Sequence, residues 1–213
     1  MFLDYERMAA ELRRSLGLSL SAEILAARAD EASSAMEAAV ATDQERAAAF
    51  LEALFRLSGV PDDRMSEVRE CLRRMHGERH LWCAVQERTH ESLTRLRAAG
   101  LRLGIVSNSD GRVEQALAAA GLLDYFDVVI DSSLVGIEKP DPGIFLAALD
   151  ALGVAPEEAL YVGDLYEVDV LGARAAGMEA VLLSSCGSQP GRPCRTAASI
   201  DDLVSALLTS ENG

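Results

Sequence analysis

Ala159-Leu160-Tyr161-Val162-Gly163-Asp164-Leu165-Tyr166-Glu167-Val168-Asp169 is the stretch that decides how this chain folds. A short apolar run ends on Gly-Asp and passes into the helical pattern of Val170-Leu171-Gly172-Ala173-Arg174-Ala175-Ala176. It reads as a strand that delivers Asp164 at its end and Asp169 at the mouth of a helix. Carboxylates so placed suit a hard divalent cation such as Mg²⁺, which binds through one or two protein oxygens beside phosphate groups. A first-turn aspartate also complements a helix dipole, but that role accounts for Asp169 and leaves Asp164 unexplained.

Working outward, the stretch belongs to an alternation. A helix to residue 99, strand 101–106, helix 112–120, strand 127–130 and helix 142–152 precede it. Helix 168–176, strand 180–183 and a closing helix 201–208 follow. This rhythm predicts an α/β fold, a doubly wound parallel sheet with helices on both faces. Residues 184–195, rich in Ser, Gly and Pro, predict a surface loop before a short last strand around 197–200. From Asp4 to about Gln86 apolar residues recur at helical spacing, as in Met8, Leu12 and Leu16, or Phe50, Leu54 and Leu57. That half predicts about four helices and no strand, with starts at Ser21 and Pro61. The boundaries read as an all-helical domain over 1–84 and an α/β core domain over 85–213.

In open parallel sheets ligands bind beyond the carboxyl ends of the strands. The predicted strand ends carry Ser107 and Asp164, and the loop after strand 127–130 carries Lys139. Ser107-Asn108-Ser109-Asp110 opens the next helix, where a hydroxyl and free backbone N–H groups can hold a phosphoryl oxygen. Ser109 and Asp110 also suit plain helix capping. Lys139, in Gly136-Ile137-Glu138-Lys139-Pro140-Asp141-Pro142, is the chain's single lysine among arginines. It offers a compact charge for a phosphate and a neighbouring carboxylate, where the bland reading is a solvated surface cation.

Val106-Ser107-Asn108-Ser109, Glu138-Lys139-Pro140-Asp141-Pro142 and Val162-Gly163-Asp164 through Asp169 resemble the second, third and fourth motifs of the haloacid dehalogenase-like (HAD) hydrolase superfamily. The helical half resembles the four-helix cap of its phosphoglycolate phosphatase-like branch. The resemblance implies a HAD-like, Rossmannoid core and a Mg²⁺-dependent phosphatase of a small phosphorylated metabolite. It implies that Ser107 holds a phosphoryl oxygen, Asn108 neighbours the substrate and Lys139 steadies nucleophile and phosphate. Asp164 and Asp169 would organise Mg²⁺.

The family's nucleophile is the first aspartate of an Asp-x-Asp-Gly-Thr-like motif ending the first core strand, which forms a phosphoaspartate. These residues contain no such motif. Asp4-Tyr5-Glu6, followed by Arg7-Met8-Ala9 in place of Gly-Thr, reads as a helix start. The expectation is therefore a chain that begins late, with the first core strand missing, its sheet neighbours unpaired and turnover impaired. Alternatives are a non-catalytic HAD-like binding or regulatory protein and a haloacid dehalogenase, the latter having less need of Asp164 and Asp169.

With 34 acidic against 20 basic residues, a net charge of −14 argues against nucleic acid and anionic membrane as partners. No apolar run approaches the ~18 residues of a membrane span, and no signal peptide is evident, which predicts a cytoplasmic protein; monomer and homodimer both stay open. Cys71, Cys83, Cys186 and Cys194 lack metal-site spacing and read as reduced thiols. His76 and His80 stand at helical ligand spacing without a strong third ligand and read as surface histidines.

Overall fold

Met8 and Leu12 fall on one side of helix α1 (Tyr5–Leu16), and both are fully buried. The computed structural model describes residues 2–38, 42–184 and 193–210, which divide into two units meeting at Val85 and Gln86. In the first unit, Asp4 caps α1 by accepting the Arg7 N–H at 3.0 Å, and Gly17 ends it with φ +65°. Helices α2 (Ala22–Ala38), α3 (Asp43–Leu57) and α4 (Met65–Glu78) complete the expected four. Thr42 and Glu45 form a capping box at the start of α3. Leu25, Leu54, Phe55 and Val68 close the core with no exposed surface.

Two short strands correct the all-helical expectation for this half. β1 (Phe2–Leu3) pairs antiparallel with β2 (Trp82–Ala84). Segments of two and three residues are too short to leave a period-two pattern in sequence. His76 and His80 are half-buried rather than at the surface, and accept the N–H groups of Leu81 and Trp82.

The second unit carries the alternation. Its elements in order are α5 (Thr89–Ala98), β3 (Gly104–Ser107), α6 (Val113–Ala119), β4 (Val128–Asp131) and α7 (Ser132–Val135). There follow α8 (Pro142–Leu152), β5 (Leu160–Gly163), α9 (Leu171–Ala175), β6 (Glu179–Leu183), β7 (Arg195–Ala197) and α10 (Ile200–Ser210). Among the described residues every strand pairing in this unit is parallel. Three details differ from expectation. The strand expected at 101–106 starts only at Gly104, and α9 is preceded by a π-helical turn, Tyr166–Val170. The last strand ends at Ala197, because Ser199 caps α10 by accepting the Asp202 N–H at 3.1 Å. Of the expected loop, residues 185–192, with Cys186, lie outside the described residues; Cys71, Cys83 and Cys194 are free thiols.

The parallel strands fall into two sheets, β3-β4 and β5-β6-β7. β6 has a neighbour on each side, and its Ala180, Val181 and Leu182 are buried. β3 and β5 have one neighbour each, and Ile105, Val106, Tyr161 and Val162 are only half-buried. Parallel strands are normally covered on every side, so the edges of β3 and β5 form an open seam among the described residues. One core spans it. Ile144 and Phe145 of α8 pack with Val170 and Ala173, and Val106, Ile130 and Tyr161 lie against the same cluster.

Among the described residues no helix is long and apolar enough to cross a membrane.

Candidate functional site

Ser107 ends β3 opposite Asp131, which ends β4. Asp131 is 2% exposed and its carboxylate is satisfied by backbone amides. It accepts the Gly111 N–H at 3.1 Å, the Val113 N–H at 3.3 Å and the Ser133 N–H at 3.0 Å. The capping expected from Ser109 or Asp110 is thus supplied from the next strand. Asp110 instead pairs with Arg112 at 2.6 Å. Ser109 is held through its backbone, its N–H donating to the Ser132 hydroxyl at 3.1 Å. Asp131 carries no sequence signal beyond being, like Ser107, a polar residue that closes a β-branched run.

Asn108 reaches the loop after α7. Its Oδ1 accepts the Lys139 N–H at 2.8 Å and its Nδ2 donates to the Lys139 carbonyl at 3.1 Å. The Lys139 side chain then turns inward. Its Nζ lies 2.8 Å from Asp169 Oδ1 and 3.1 Å from the Tyr161 hydroxyl, with side-chain exposures of 12% for Lys139 and 3% for Asp169. The surface-cation reading of Lys139 is thereby overturned. Burial alone would lower the lysine pKa, but the Asp169 carboxylate outweighs it and holds the ammonium above its ordinary range.

Asp169 is consumed by the protein. Its second oxygen accepts the N–H groups of Asp164 at 3.1 Å and Leu165 at 2.9 Å. Only glycine fits beneath it, since a Cβ on Gly163 would stand 2.4 Å from the Asp169 side chain. The Tyr161 hydroxyl, unforeseen because Tyr161 sits inside an apolar run, lies 3.2 Å from Asp169 and 3.3 Å from the Val106 carbonyl. Its side chain crosses the seam. Burial raises the Tyr161 pKa, keeping the hydroxyl protonated.

Asp164 stays open to solvent at the end of β5. Protein packed on its inner side desolvates the carboxyl and raises its pKa, with Asp169 adding to the push and Lys139 opposing it. Solvent on its outer side screens part of this shift. The structure therefore joins Asn108, Lys139, Asp169 and the Asp164 backbone in one hydrogen-bonded set. Ser107 adjoins it through the chain; its hydroxyl makes only a long 3.5 Å contact to the Asn108 carbonyl.

Residues 19–177 match the family model described as haloacid dehalogenase-like hydrolase. A mouse haloacid dehalogenase-like hydrolase domain-containing protein 3 is 42% identical over 137 residues, 64% of this chain and 53% of that protein. A phosphoserine phosphatase of Thermus thermophilus is 39% identical over 145 residues, 68% of this chain and 56% of that protein. The chain spans about half the length of the curated relatives it matches. The crystal structure of a HAD phosphatase from Thermococcus onnurineus superimposes with a TM-score of 0.58 at 29% identity, covering 95% of this chain and 87% of that one. With Ser107, the buried Lys139 and the Asp164 and Asp169 carboxylates in that order along a doubly wound core, the chain belongs to the haloacid dehalogenase-like hydrolase family.

Proposed function

We propose that these residues form the phosphate- and metal-binding part of a Mg²⁺-dependent phosphatase of a small phosphorylated metabolite. In this reading residues 1–84 are a helical cap domain and 85–213 the catalytic core. The observation that carries it is the buried Lys139–Asp169 pair beside the exposed Asp164, next to the Ser107 loop. The similarity to a phosphoserine phosphatase supports a small phosphorylated substrate.

The donor set fits a hard cation. Asp164 presents an open carboxylate at the end of β5, and Lys139 pairs with the neighbouring Asp169. Asp164 would hold Mg²⁺ directly, and Asp169, its oxygens already engaged, would fix the loop that aims Asp164. Bound there, the ion would neutralise charge on the phosphoryl oxygens. Ser107 donates its hydroxyl to a phosphoryl oxygen, and Lys139 offsets the remaining negative charge.

The covalent step needs a carboxylate nucleophile. Its oxygen attacks phosphorus, the ester alcohol leaves with a proton from a general acid, and water then cleaves the acyl phosphate to release phosphate and the free carboxylate. Asp4 does not fill this role. Its oxygens accept from Arg7 and pair with Arg79 at 3.1 Å. We place the nucleophile on a strand seated in the seam between β3 and β5.

Hydrolysis of p-nitrophenyl phosphate tests the reading. The 213 residues alone should give no turnover above background. A form carrying a strand ending in Asp-x-Asp-Gly-Thr ahead of Phe2 should hydrolyse the ester with Mg²⁺ and stop on chelation. Turnover by the 213 residues that Asp4→Asn abolishes would contradict this assignment.

A further inference from the structure

Asn108 stands one residue beyond β3, and both ends of its amide meet a single residue 31 positions away. Its Oδ1 takes the Lys139 N–H and its Nδ2 gives a hydrogen bond to the Lys139 carbonyl, at 2.8 and 3.1 Å. A neighbouring β-strand would satisfy a residue in the same way. The Lys139 loop needs that support. It leaves Gly136 in a left-handed turn and runs into Pro140, which has no N–H to give.

The contact has a mechanical consequence. A lysine side chain has several freely rotating bonds and loses much entropy when fixed. Its ammonium stays 2.8 Å from Asp169 only if its backbone is held. The Asn108 loop is tied again further back, to the end of β4 and the start of α7, where Asp131 accepts from Gly111 and Ser132 bonds both the N–H and the carbonyl of Ser109. Asn108 is the link that lands on the lysine itself.

We propose that Asn108 is a positioning residue that acts through Lys139. It fixes the lysine backbone so that the ammonium serves both Asp169 and a bound phosphate. The family resemblance makes it a neighbour of the substrate; the geometry gives its amide other work. The proposal rests on the phosphate-site reading above for its functional consequence.

A double-mutant cycle with inorganic phosphate as the probe, titrated calorimetrically in Mg²⁺, tests it. Asn108→Ala should weaken phosphate binding about tenfold in the native protein, and by no more than about twofold in a Lys139→Met background. Equal losses in both backgrounds would show that Asn108 meets phosphate independently and would overturn the proposal. Hydrogen exchange at the Lys139 amide supplies a readout that needs neither phosphate nor the lysine variant. It should accelerate about tenfold or more in Asn108→Ala and leave Ile105 unchanged. An unchanged Lys139 amide would sink the clasp, whereas phosphate affinity indifferent to Lys139→Met would sink the phosphate reading and leave the clasp to the exchange result.

Discussion

Lys139→Met should lower the unfolding free energy by about 3–5 kcal/mol, because it strands a buried carboxylate without its cation. Asp169 has 3% side-chain exposure, and Lys139 is the only cationic side chain that reaches it among the described contacts. Two backbone N–H groups and the Tyr161 hydroxyl would remain, which softens the loss without replacing the charge. Adding Asp169→Asn should recover at least half of it, since the unpaired charge then disappears. Urea unfolding of the single and double variants at constant slope measures this. A cost for Lys139→Met below about 1 kcal/mol would mean that water reaches the pair.

The sign of the pH dependence follows. The folded Lys139 pKa stands above its unfolded value. The pair's contribution is therefore complete below the ordinary lysine pKa, and is lost only as pH rises through the higher folded value. Across neutral pH the pair is constant.

The seam predicts a second large effect, in amide exchange. Along a strand, the N–H and C=O of one residue point to one side and those of the next residue to the other. The Leu103 carbonyl accepts the Asp127 N–H at 2.8 Å, so Leu103, Ile105 and Ser107 face the β4 side. Gly104 and Val106 then face the seam, which agrees with the Tyr161 hydroxyl lying 3.3 Å from the Val106 carbonyl. The Val106 amide should exchange about 100-fold faster than that of Ile105, while Val181 and Leu182 of β6 are both slow. Equal protection at Ile105 and Val106 would mean that a strand already pairs with that edge.

Much of this arrangement is legible in the sequence because its signals are local. Short apolar runs closed by Ser107 and Asp164, alternating with helical patterns, specify the doubly wound core. Lys139 is conspicuous as the single lysine. What escapes sequence reading depends on partners distant in the chain. Tyr161 reads as core until a buried ammonium meets its hydroxyl. Asp131 carries no role in the sequence until the amides of Gly111 and Val113 converge on it. The pairing of β1 with β2 joins segments at opposite ends of the helical half, each too short for a pattern.

Binding of inorganic phosphate tests most directly whether the strand ends at Ser107 and Asp164, with the Lys139 loop between them, make one phosphate site. Titration followed by ³¹P NMR should show binding that strengthens with Mg²⁺ and weakens about tenfold in Ser107→Ala, the loss of one hydrogen bond to a charged group. Phosphate that fails to bind, or that binds equally well without Mg²⁺ and in Ser107→Ala, would contradict the account.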